Sequence, residues 1–243
     1  MRAYLIAALA SIPGAIHADD AAFAYLEANL ISTLYHELGH AVIHIQEVPI
    51  FGQEEDAADV LSTLLINAHY DEPAARDIIT LAAQGYADDA AALEEPIPVW
   101  GVHGLDMQRY HTMACLFFGA DVDTREYVIT DLGLPEERAE TCEEEYYLAE
   151  WSWGTVLIPM EDAAPATTLT YKGLSDIGGE EIAFTQDLLI EQVSFLNESY
   201  ALAKPVTVTL LSCGEANAFY DPETLTIEVC TEFAEDLFYR ATR

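Results

Sequence analysis

Ser32-Thr-Leu-Tyr-His-Glu-Leu-Gly-His-Ala-Val-Ile-His-Ile45 holds the pattern His36-Glu37-Leu38-Gly39-His40 inside an apolar-periodic stretch. Residues four apart lie one above the other on a helix, so His36 and His40 can aim two imidazole nitrogens at one metal ion. Glu37 then falls beside the open coordination position, where a carboxylate can accept a proton from an attacking water. Leu34, Leu38, Val42, Ile43 and Ile45 are apolar, and the polar groups gather in one narrow stripe. That distribution fits a buried helix with one functional stripe rather than a surface helix that happens to carry two histidines.

Two histidines leave a catalytic zinc one protein ligand short of the usual three. The next apolar-periodic segment opens with Gly52-Gln-Glu-Glu55-Asp-Ala-Ala-Asp59, where Glu55 and Asp59 are again four apart. This resembles the Glu-x-x-x-Asp arrangement of the thermolysin-like zincins. The resemblance implies that Glu55 ligates zinc and that Asp59 holds a zinc histidine by its other ring nitrogen, fixing its orientation. Glu54 and Asp56 are the competing ligands, and an acidic cluster at a helix start also favours the helix dipole.

The chain has 243 residues, with 9 Lys+Arg against 43 Asp+Glu and a net charge of −34. A surface so acidic excludes nucleic-acid partners, which need basic groups for phosphate contacts. Met1 to Ala18 carries one basic residue, a short apolar core and a small residue at its end, and reads as an export signal cleaved after Ala18. No later stretch approaches the roughly 20 apolar residues of a membrane span. The expected protein is therefore secreted or periplasmic, with no membrane span, and is taken as a monomer. Four cysteines behind an export signal point to disulfides rather than thiolate ligands. Three pairings are possible; the nearest-neighbour one is Cys115–Cys142 with Cys213–Cys230.

Further along, the spacing predicts one or two helices over 20–45 with Asp20 as cap, then helices over 54–68 and from Pro73 to about Leu93. Next come a Pro- and Gly-rich loop over 94–104 and helices over 105–119 and from Glu136 to about Leu157. Met160 to Thr168 reads as a linker of small and polar residues. Strands are expected near Leu169–Lys172, Pro205–Cys213, Asn217–Tyr220 and Leu225–Cys230, with a helix around Glu191–Tyr200 and a last one from Glu232 to Arg243.

Several of these segments together resemble a bacterial metallopeptidase family of zincin-like type. They are the His36–His40 helix, Gly52 to Asp59, Asp106-Met-Gln-Arg-Tyr110 with Cys115 and Gly119, Cys142-Glu-Glu-Glu-Tyr146 with Ser152-Trp153, and Cys213 to Cys230. The resemblance implies a single α+β domain over 19–243 of zincin-like metallopeptidase fold. Its helical zinc-binding part would be 19–160 and its strand-rich part 166–243, packed on the same active site. The fold would be mostly helical, with a small antiparallel sheet whose edge strand comes from the C-terminal part. Asn217, Ala218, Phe219 and Tyr220 are similar to the zincin edge strand that hydrogen-bonds extended substrate. In the family that strand precedes the zinc helix, whereas here it comes after, so the chain reads as circularly permuted, with the seam at Met160–Thr168. The implied function is a zinc-dependent peptidase acting on peptide or protein, with Glu37 as general base. His103, Arg109, Tyr110 and His111 are candidates for the oxyanion donor, and His103 is the choice among them. His44 lies a turn too far along for the same metal. A non-catalytic zinc-binding or partner-binding module of the same fold is the alternative.

Overall fold

The computed structural model describes residues 18–93, 99–174 and 178–242. Positions 1–17 of the expected export signal and 94–98 of the expected loop lie outside the described residues. The fold is mostly helical with one four-stranded sheet, an α+β arrangement. The described residues divide into two compact units, one over 50–153 and the other over 18–49 with 154–242.

The first unit is helical. It contains α2 (Glu54–His69), α3 (Glu72–Ala92), α4 (Asp106–Gly119), the short α5 (Tyr127–Asp131) and α6 (Glu136–Ala139), and the first part of α7 (Cys142–Asp162). α2, α3 and α4 pack on one another around Leu61, Leu65, Ile66, Ile79 and Phe117. Asp71 caps α3 by accepting from the Ala74 N–H at 3.0 Å, with Pro73 in the first turn, where the missing N–H costs nothing. The helix expected from Glu136 is interrupted at Glu140 and Thr141. Cys142 opens α7 and is tied to Cys115 of α4, with Cα atoms 5.1 Å apart. Gly119 is required here, because a Cβ at this position would collide with the Cys142 carbonyl.

A buried cation, Arg125, clasps the same unit. Its guanidinium donates to Glu72 at 2.6–3.2 Å, to Asn67 Oδ1 at 2.6 Å and to the Phe117 carbonyl at 2.6 Å. It also lies 3.7 Å from the centre of the Phe117 ring. A planar five-donor group suits this task where an ammonium would not.

The second unit holds α1 (Ala18–Ile45), the rest of α7, β1 (Leu169–Lys172), α8 (Glu180–Ser199), β2 (Val206–Leu211), β3 (Ala218–Asp221), β4 (Thr226–Cys230) and α9 (Thr231–Ala241). α8 starts eleven residues earlier than the expected 191, because Ile182, Leu189, Val193 and Leu196 form one buried helical stripe from its first turn. Asp20 lies inside the first turn of α1 rather than capping it. The expected linker at 160–168 is also revised: α7 continues to Asp162 and Met160 is buried. The Asn197 side chain pins the start of β1, accepting from the N–H groups of Thr168 and Leu169 at 2.9 Å and donating to the Leu169 carbonyl at 2.9 Å.

The sheet order is β1-β2-β4-β3. The expectation of an antiparallel sheet needs correction: β1 pairs parallel with β2, and β2 parallel with β4, so only the β4–β3 pair is antiparallel. The reason is connection length. α8 carries the chain back across between β1 and β2, which makes that pair parallel, whereas the short Asp221–Leu225 turn makes β3–β4 a hairpin. Asp221 organises the turn by accepting from the Glu223 N–H at 2.8 Å and the Thr224 hydroxyl at 2.7 Å. β3 is an edge strand from the C-terminal part of the chain, as expected.

Cys213 and Cys230 are bonded, with Cα atoms 5.4 Å apart. The bridge closes a loop with a sequence separation of 17, for which loop-closure entropy gives a stabilisation of about 3 kcal/mol. Replacing both cysteines with serine should lower the unfolding free energy by about that amount in denaturant titration. Non-reducing peptide mapping should recover the Cys115–Cys142 and Cys213–Cys230 pairs; crossed pairs would contradict the assignment.

Candidate metal centre

α1 is buried along most of its length, with Leu30, Ile31, Leu34, Leu38 and Val42 in the core. It packs against α8, α9, β3 and β4. Tyr35 donates a buried hydrogen bond to Gln192 Oε1 of α8 at 2.8 Å, which fixes the roll of the helix. That roll leaves His36 and Glu37 nearly covered, at 6% and 7% exposure, and His40 partly covered.

The Nε2 atoms of His36 and His40 face each other at 3.1 Å. Two ligands of one tetrahedral zinc, each about 2.0–2.1 Å from it, would be about 3.3 Å apart. The observed separation is therefore close to one edge of that tetrahedron. Two facing imidazoles are a donor pair suited to zinc, so these residues fit a metal ion.

Glu55 begins α2 together with two other acids, Glu54 and Asp56, both exposed, while Glu55 is partly covered. His103 approaches it, with Nε2 2.8 Å from Glu55 Oε2. One turn further along α2, Asp59 is buried. Its carboxylate takes a fork from Arg109, Nε to Oδ2 at 2.7 Å and a terminal nitrogen to Oδ1 at 2.8 Å. The Tyr86 hydroxyl adds a longer bond to Oδ1 at 3.3 Å, and the Arg109 guanidinium lies 4.4 Å from the centre of the Tyr86 ring. Burial works against the charge on Arg109, but the Asp59 hydrogen bond, with Tyr86 and Asp106 nearby, more than offsets it, leaving the pKa above its ordinary value.

Most of the remaining expected residues have partners of their own. Tyr110 donates its hydroxyl to the Leu132 carbonyl at 2.8 Å, and His111 lies edge-on to the Tyr110 ring. Asn217 lies just before β3; its side chain accepts from the Ala218 N–H at 2.9 Å and its carbonyl from the Cys230 N–H at 3.0 Å. Ala218, Phe219 and Tyr220 form β3, whose outer edge has no strand beside it among the described residues. The strand packs on α1.

Three contributions escaped sequence reading. His44 shares a 2.9 Å hydrogen bond with the Tyr220 hydroxyl and so ties the last turn of α1 to the edge strand. The helical stripe that holds His36 and His40 extends to His44, but its partner lies 176 residues away. Tyr86 had no signal at all. The third is Glu232, which accepts from the Ser212 hydroxyl at 2.5 Å and from the N–H groups of Cys213 and Gly214 at 3.1 and 3.0 Å. Gly214 has φ +81, a backbone state that favours glycine.

The family described as "Putative metallopeptidase" matches residues 10–157 and 179–243, and the chain belongs to that family. No curated protein and no solved structure matches it.

The Ser212 hydroxyl, then the backbone N–H groups, hold the Glu232 pKa down to about 2. A carboxylate depressed in the folded state contributes stability that is fully present above its unfolded pKa, near 4.5, and is lost as pH falls through about 2. Glu232→Gln should therefore lower Tm at pH 5–7, and the gap from the wild-type protein should close as pH drops from about 4.5 to 2. A gap that stays constant over that range would contradict the assignment.

Proposed function

We propose that the chain is an exported zinc-dependent peptidase. The observation that carries this reading is the facing His36 and His40 nitrogens with Glu37 buried on the same helix turn, within a chain of metallopeptidase family. In this reading His36, His40 and Glu55 hold zinc, which when bound supplies a Lewis acid for the attacking water and the scissile carbonyl. Glu37 accepts the proton from the water and passes it to the leaving amine. His103 is the oxyanion donor, exchanging its Glu55 contact for the substrate when the site is filled. Asn217, Ala218, Phe219 and Tyr220 receive the extended peptide as an added strand, since a sheet edge offers backbone groups for pairing. Asp59 orients the zinc ligands.

Export is supported by two disulfides, which persist in oxidising compartments. None of the described helices is long and apolar enough to cross a membrane.

Glu37→Gln should retain zinc and lose hydrolysis of a casein-type substrate by roughly 10²–10⁴-fold, while His36→Ala or His40→Ala should lose the zinc itself. A chelator should abolish hydrolysis by the wild-type protein, and added zinc should restore it. Loss of zinc from a folded Glu37→Gln protein would contradict the division of roles.

The circular permutation belongs to the same proposal. It is supported by the packing of α9 on α1, with the Phe238 and Phe23 rings 4.9 Å apart, and by the His44–Tyr220 bond. The two family matches also leave 158–178 uncovered, and the proposed seam falls inside that interval. A chain cut within 163–167 and rejoined from residue 242 to Asp19 by a short flexible linker should fold and bind zinc as the natural one does, because closure cost grows slowly with loop length. A relinked chain that is helical but binds no zinc would contradict it.

A further inference from the structure

The site's least accounted-for feature is the depth at which Arg109 and Asp59 meet. Their side chains are only 17% and 11% exposed. A charge pair at that depth is a poor choice for stability alone, because desolvation consumes much of the attraction and apolar residues of similar volume often serve as well. Asp59 stands on α2 one helical turn past Glu55, so any roll of α2 that moved one carboxylate would move the other. Arg109 is held in turn. Its backbone N–H is bonded to the Leu105 carbonyl at 3.0 Å in the first turn of α4, and its guanidinium lies against the Tyr86 ring of α3. The Gln108 side chain closes that turn by accepting from the Leu105 N–H at 3.2 Å. A two-pronged bond from a fixed donor determines both the position and the plane of the acceptor, which a single ammonium contact does not.

We propose that Arg109 is a positioning residue for the metal centre: by gripping Asp59 from α4 it fixes the roll of α2 and thereby presents the Glu55 carboxylate for zinc. This rests on the reading of Glu55 as a ligand. Arg109 touches neither metal nor substrate. Its role is to remove in advance the freedom that Glu55 would otherwise lose on binding, and the effect therefore reads out as affinity.

The test is the zinc affinity of the purified full chain, measured by competition with a chromophoric chelator, beside a thermal melt of the metal-free protein. Arg109→Met should weaken zinc about 10–100-fold, the range found when an outer partner of a ligand is lost. Arg109→Lys should recover part of it, and Arg109→Met/Asp59→Asn should weaken zinc at least as much as the single change, because the grip and the carboxylate it holds are both gone. Arg138→Met serves as the comparison. That arginine forms a two-pronged ion pair with Glu145, at 2.6 and 2.7 Å, joining α6 to α7 in the same unit, and its loss should lower Tm and leave zinc affinity unchanged. Zinc affinity within twofold of wild type in folded Arg109→Lys and Arg109→Met/Asp59→Asn proteins would overturn the proposal, even if both melt early. Glu55→Gln separates the two readings. If it weakens zinc while the Arg109 variants do not, only the positioning role fails; if it leaves zinc unchanged, Glu55 is not a ligand and both readings fail.

Discussion

Two imidazole nitrogens 3.1 Å apart on one face of a buried helix impose the constraint that organises this molecule. Two donors that close together are placed to hold one cation between them. Holding that geometry requires a helix that does not roll. The second unit provides it, since α8, α9 and the β3–β4 hairpin all pack on α1. The Tyr35–Gln192 bond fixes one face of the helix, and His44–Tyr220 its end. α1 is therefore a helix whose apolar sides are committed to packing and whose one polar stripe remains for chemistry.

The same logic extends to the edge strand. The disulfide at its hairpin base, the Glu232 cap on the Cys213–Gly214 corner and the Asp221 turn restrain the segment from 212 to 230 at both ends. The strand between them keeps one edge without a strand neighbour among the described residues. An exposed edge is an aggregation liability unless it is short or protected. β3 is four residues long, and the protein's net charge of −34 adds mutual repulsion between copies.

Much of this was legible in the sequence, for physical reasons. The helical period forces His36 and His40 onto one face, and the same spacing singles out Glu55 and Asp59. β2 shows its alternation plainly, with Val206, Val208 and Leu210 buried and their neighbours half-exposed. The short hairpin between β3 and β4 was marked by its Asp-Pro turn. The features that were not legible depend on partners distant in the chain. Nothing local to Arg125 announces that Glu72 and Asn67, 53 and 58 residues away, will surround it. Parallel pairing of β1 with β2 depends on where α8 returns the chain, and the beginning of α8 was obscured by the glycines before it. The fork between Arg109 and Asp59 is of the same kind: each residue stands out within its own segment, but their pairing belongs to the packing of α4 on α2.

The most direct test of the central claim is X-ray absorption at the zinc edge of the zinc-loaded protein. The account predicts two imidazoles and one carboxylate, with nitrogen and oxygen atoms at about 2.0–2.2 Å and no sulfur. It also predicts that one imidazole is lost in His36→Ala and in His40→Ala. A sulfur shell near 2.3 Å, or a ligand set unchanged by either substitution, would contradict it.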